Sequence, residues 1–114
     1  MKRFRHAFRG LTHFLIHDRS ALLHLLAAVI AIVSGIALGI TASEWMFIIA
    51  AICLVFAAEI FNSALETICD RITTKRDEMI KKAKDLSAAA VLVVSVFAIC
   101  VGLIIFLPRI IMLF

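Results

Sequence analysis

The chain has no tyrosine, one tryptophan, one proline and only four glycines among 114 residues. So few glycines leave no loop of the G-x-x-x-x-G-K-[ST] kind, and no protein-kinase signature set is present, which excludes the soluble kinase folds. There is no tyrosine and the one tryptophan is Trp45, so the aromatic residues are almost all phenylalanine, nine in number. Cys53, Cys69 and Cys100 form no C-x-x-C pair and have no histidine nearby at ligand spacing. Neither a disulfide framework nor a zinc site is expected, and the three read as buried small hydrophobes. Charged residues make up 18% of the chain. What it has is hydrocarbon: 64% of residues are hydrophobic and the mean hydropathy is +1.11, where a soluble domain runs at about 45–50% apolar.

The apolar residues come in blocks of membrane length. Ala21–Ile40 carries no formal charge over twenty residues, enough to cross about 30 Å of hydrocarbon as a helix. A secretory signal core is shorter, about 7–15 residues, so this block reads as a span. A second runs from Trp45 to about Ile68 and a third from Leu86 to Leu107, where Pro108 is expected to end the helix. Upstream, Phe4, Phe8, Leu11 and Leu15 recur at offsets of four, three and four. Residues 1–19 therefore read as an amphipathic helix lying on the membrane surface, with His6, His13 and His17 facing solvent or headgroups. Ala27, Ala31, Gly35 and Gly39 form a small-residue stripe suited to close helix packing. The fold class expected is all-α: a surface helix followed by three transmembrane helices.

Charge fixes the orientation. Five Lys or Arg residues precede the first span (Lys2, Arg3, Arg5, Arg9, Arg19), none lies in 41–44, six lie in 70–85, and only Arg109 follows the third span. The basic residues read as topology signals and headgroup contacts, with no nucleic-acid partner implied by the +4 net charge. The N-terminus and the second loop are expected in the cytoplasm and the C-terminus outside.

Within the second span, the run FAAEIFNSALETICD places Glu59, Asn62 and Glu66 at helical spacing on one face. A carboxylate at bilayer depth costs on the order of 2.5 kcal/mol or more even on lenient scales. If Trp45 marks the outer interface, Glu66 falls at the inner boundary and Glu59 roughly 10 Å below it. A carboxylate at that depth can reach a lipid hydroxyl. Asp18 brings another acid to the same membrane face, and with Glu66 it could share a divalent cation with nucleotide phosphates. Lys84-Asp85, read as the start of the third helix, would favour an anion. Plainer readings stand beside these: a basic loop that only sets topology, Asp85 as a helix cap, Asn62 as interhelical glue.

The string Glu59-Ile60-Phe61-Asn62-Ser63-Ala64-Leu65-Glu66, then Asp70, then Ala83-Lys84-Asp85 ahead of the small-residue run Ser87–Leu92 resembles the prokaryotic diacylglycerol kinase family, small membrane lipid kinases that include undecaprenol kinases. The likeness extends over nearly the whole chain. It implies Glu59 as general base for the lipid hydroxyl and Glu66 with Asp18 as metal ligands for Mg2+. It further implies Asn62, Asp70, Lys84 and Asp85, with Arg9 from the surface helix, as the nucleotide and phosphate site. ATP as co-substrate, a homotrimer with active sites between subunits, and the bacterial cytoplasmic (inner) membrane are implied in the same way. This sequence departs from the family pattern at Asp18, where Glu is usual; at Leu22, where Arg is common; and at Asp77, where His is common. His24 is closer to the undecaprenol-kinase-like branch.

The function expected is phosphorylation of a membrane lipid alcohol, undecaprenol or diacylglycerol, with a strictly diacylglycerol-specific kinase as the alternative within the family. Outside it stand a small proton-coupled cation exporter, a class usually of four spans, and a non-enzymatic membrane subunit. Topology separates the exporter: reporters fused to the two termini should register the N-terminus in the cytoplasm and the C-terminus outside, whereas both on one side would overturn the three-span reading.

Overall fold

In the computed structural model, which describes residues 2–73 and 75–114, the chain is four helices in the order α1 (Lys2–His17), α2 (Arg19–Leu38), α3 (Ala42–Ile72) and α4 (Glu78–Leu113). Three of them, α2, α3 and α4, are long and apolar enough to cross a membrane. The all-α class with three candidate spans after an amphipathic helix is therefore what the chain adopts.

Short polar signals set the boundaries. Asp18 is extended and caps α2, its side chain accepting from the Ser20 amide at 3.1 Å, so α2 begins two residues ahead of the apolar block. It ends at Gly39, which takes the left-handed conformation (φ 64°) that glycine adopts without steric cost. Gly39 is thus a helix terminator, and the small residues that α2 buries are Ala21, Ala28 and Gly35, seven apart. Thr41 and Glu44 form a reciprocal capping box at the start of α3. Asp77 opens α4 by accepting from the amides of Met79 and Ile80.

Two expectations about α4 are corrected. Because Asp77 caps it and the following Lys- and Ala-containing turns are good helix formers, α4 starts a full two turns before the apolar segment. Lys84 and Asp85 therefore sit inside the helix and its free N–H groups lie elsewhere. At the other end, α4 continues through Pro108 to Leu113. Proline removes one N–H from the ladder, but Arg109 secures the turn. Its Nη1 donates to the Ile105 carbonyl at 3.0 Å, and the guanidinium grips Glu44 through Nη1 at 2.7 Å and Nη2 at 2.6 Å. This fork joins the start of α3 to the end of α4.

Packing between spans relies on small and branched side chains, while most large apolar ones face outward, as lipid-facing helices require. Near the α2–α3 turn, Ile40, Ile48, Val101 and Ile105 form the buried cluster, with Trp45 and Phe106 against it. Near the α1–α2 junction, Phe14 is buried and meets the Phe56 ring edge-on at 6.4 Å. The Phe4 and Phe8 side chains of α1 are exposed, an apolar face available to a membrane surface. Of the cysteines only Cys69 is buried; Cys53 and Cys100 lie on the outer surface of the bundle, where a thiol suits hydrocarbon as well as a protein interior does.

Trp45 lies directly on Gly35: a Cβ there would fall 2.7 and 2.9 Å from two of its ring carbons. Gly35→Ala should therefore destabilise the fold by about 1–3 kcal/mol through overpacking, read as a lower thermal midpoint in detergent. A double-mutant cycle with Trp45→Leu should give a non-additive result; strictly additive losses would rule out the ring as the cause.

Candidate active site

α3 carries a polar stripe made of Glu59, Asn62, Ser63, Glu66 and Asp70 at offsets of three and four. Its members divide between two neighbours. On the α1–α2 side, Glu59 is the one buried charged group among the described residues, 9% exposed. Its Oε1 lies 2.8 Å from His24 Nε2 and its Oε2 lies 3.3 Å from the Ser20 hydroxyl. Ser20 and His24 are one turn apart on α2, so one face of that helix supplies both partners. The Ser20 hydroxyl also lies 2.8 Å from Asp18 Oδ1, and the Ser63 hydroxyl donates to Asp18 Oδ2 at 3.0 Å. Asp18 and Glu59 are thus linked through the serine that follows the cap.

Asp18 is half-buried. Burial acts against its charge, but hydrogen bonds from the Ser20 hydroxyl, the Ser63 hydroxyl and the Ser20 amide, together with nearby His24, outweigh that and hold its carboxyl below the ordinary carboxylate range.

On the α4 side, Asn62 Oδ1 accepts from the Ser87 hydroxyl at 2.8 Å, and Lys84 Nζ meets Asp70 Oδ1 at 2.5 Å. Lys81 pairs with Asp85 at 3.0 Å across one helical turn. These contacts draw Asn62, Asp70, Lys84 and Asp85 to the same end of the bundle. Glu66 lies between the two groups on α3, exposed. Arg9 is exposed on α1 and makes no hydrogen bond or ion pair among the described residues. No group of three or more His, Cys, Asp or Glu side chains able to enclose a metal occurs among the described residues.

Three partners escape the sequence reading as site residues: Ser20, His24 and Ser63. Ser20 follows the cap by two positions and Ser63 follows Glu59 by four, so spacing holds a hint. The pairing of α2 with α3 that joins them is tertiary. Beside His24 an apolar cavity of about 390 Å³ opens between α2, α3 and α4, lined by small residues such as Ala27, Ala31 and Gly102 and reaching Phe106.

A comparison with known families decides the class. The family described as prokaryotic diacylglycerol kinase matches residues 5–106. The chain belongs to this family. It is 37% identical over 108 residues to the undecaprenol kinase of Bacillus subtilis (strain 168), covering 95% of this chain and 88% of that protein. It is 31% identical over 94 residues to the diacylglycerol kinase of Escherichia coli (strain K12), covering 82% and 77%. The diacylglycerol kinase of Haemophilus influenzae is 42% identical over a shorter stretch of 64 residues, 56% of this chain and 51% of that protein. Membership makes the chain a lipid kinase of the membrane.

The lowered Asp18 carboxyl has a pH consequence. Its folded-state value lies below the unfolded one, so its contribution is present above the unfolded value, about pH 4, and is lost as pH falls through the folded value. Asn caps helices as well as Asp does, so Asp18→Asn removes the titrating charge while keeping the cap. The stability gap between wild type and Asp18→Asn, followed by thermal unfolding in detergent, should shrink on acidification; a gap that stays constant with pH would contradict the ionised role.

Proposed function

We propose that the chain transfers the γ-phosphoryl group of ATP to the hydroxyl of a membrane lipid alcohol at the cytoplasmic interface, with Glu59 as the general base. The observation carrying this is the buried Glu59 carboxylate, held by side chains of α2 in a family of lipid kinases. Phosphoryl transfer asks the protein mainly for positioning and charge neutralisation, and a short polar stripe at a membrane boundary can supply both.

The hydroxyl of the lipid approaches along the membrane plane, and Glu59 accepts its proton as oxygen attacks the γ-phosphorus and the bond to the leaving diphosphate breaks. The apolar cavity next to His24 supports this reading, since it offers room for hydrocarbon against the side chain that contacts Glu59. Lys84, with Asn62, Asp70, Asp85 and Arg9, would bind the nucleotide phosphates from the cytoplasmic side. Lys84 is then exchanged from Asp70 to phosphate when nucleotide enters.

The donor set suits a magnesium ion that arrives with the nucleotide. Mg2+ takes one or two protein carboxylates and completes its shell with phosphate and water. Asp18 accepts three hydrogen bonds, from the Ser20 amide, the Ser20 hydroxyl and the Ser63 hydroxyl, leaving capacity for about one more partner, and Glu66 is exposed on the same face. The ion, when held by Asp18 and Glu66, supplies neutralisation of phosphate charge. A homotrimer with shared sites would enclose the exposed half of the stripe, since three spans alone leave Glu66 open.

Undecaprenol is the favoured alcohol, supported by the likeness over 95% of this chain to an undecaprenol kinase and by His24; diacylglycerol is the second reading, supported by the relatives named for it. The test is transfer of label from ATP to each lipid by the purified protein, alone and in competition. Wild type should phosphorylate at least one of the two, and Glu59→Gln should lose about 10²–10⁴-fold in kcat, the usual worth of a general base. Wild-type inactivity on every lipid alcohol, or full activity in Glu59→Gln, would reject the assignment.

A further inference from the structure

Glu59 presents its two carboxylate oxygens to unequal partners. Oε1 is tied to His24 Nε2 at 2.8 Å, while Oε2 has only the Ser20 hydroxyl at 3.3 Å. A hydroxyl carries one hydrogen, and Ser20 lies closer to Asp18, at 2.8 Å, so its hydrogen belongs chiefly to Asp18. Oε2 is the oxygen left with capacity to take up a proton. His24 is itself held: its ring meets the Phe56 ring edge-on, with centroids 6.3 Å apart, and Phe56 lies one turn from Glu59 on α3. The ring is braced by the same helix that bears the carboxylate it contacts.

We infer that His24 is a positioning residue for the phosphoryl-transfer reaction, anchoring Oε1 of Glu59 through Nε2 so that Oε2 is turned toward the lipid hydroxyl. This rests on Glu59 being the base. With Nε2–H donating to Oε1, the carboxylate cannot rotate about its last bond without losing that contact, and the proton leaving the alcohol is received on Oε2. The role needs a donor at the reach of Nε2. It does not need an imidazole as such. Leucine removes the donor; glutamine puts an amide N–H near the Nε2 position; asparagine has the same amide one methylene short.

The experiment measures steady-state rates for wild type, Glu59→Gln, His24→Leu, His24→Gln and His24→Asn with ATP, magnesium and the lipid alcohol that wild type accepts. Each protein is also followed by thermal unfolding and gel filtration. The Glu59→Gln arm tests the base itself: if it stays fully active, the base reading fails there, whatever the histidine variants do. With that arm inactive, His24→Leu should lose about 10- to 100-fold in kcat, the scale of a misplaced reacting group, with KM for ATP unchanged. His24→Gln should recover to within a few-fold of wild type and His24→Asn should stay slow, although both unfold as wild type does. Full kcat in His24→Leu, or equal rates in the Gln and Asn variants, would overturn the proposal. Where His24→Leu does not fold, the Gln and Asn pair decides by itself.

Discussion

A carboxylate inside an apolar bundle must be met by hydrogen bonds from its neighbours, and the contact between Glu59 and His24 is where this chain meets that demand. The rest of this half of the bundle is arranged around it. The Asp18 cap starts α2 where Ser20 and His24 emerge on one face, and Phe56 steadies the imidazole from α3. Ser63, one turn beyond Glu59, returns a hydrogen bond to the cap. Each of these groups is easily satisfied singly in water; in hydrocarbon they are satisfied together or not at all.

The opposite half of the molecule is held by close packing and by contacts at the helix ends. Trp45 closes on Gly35, the Thr41–Glu44 capping box starts α3, and the Arg109 fork ties α4 to Glu44. At the other end of the bundle the links between α3 and α4 are polar, the Lys84–Asp70 and Asn62–Ser87 contacts.

The main lines are legible in the amino-acid sequence. Apolar blocks of bilayer length mark the three spans, and the helical spacing of Glu59, Asn62 and Glu66 puts them on one face of α3. Helix ends are less legible. Pro108 reads as a stop because a local rule governs proline, whereas the Arg109–Glu44 fork beside it joins residues far apart in sequence. Lys84 and Asp85 read as a helix start because the apolar run begins beside them; Asp77, eight residues before Asp85, is the true cap. His24 stands out in the sequence only as a mark of one branch of the family, since nothing along the chain states that α2 packs against α3 in the register that brings residue 24 to residue 59. Gly39 belongs to a packing stripe by spacing and to a left-handed turn by conformation, and conformation decides.

The central claim is that Glu59 meets the acceptor alcohol while the α4 lysine side meets phosphate. The most direct measurement is an experimental structure of the assembled protein in lipid with magnesium, a non-hydrolysable ATP analogue and the lipid alcohol. The account predicts the alcohol oxygen at hydrogen-bond distance from Glu59 Oε2, roughly 3 Å, with the terminal phosphate of the analogue beside Lys84. An alcohol bound away from Glu59 in every protomer, with the stripe on α3 turned to acyl chains, would contradict it.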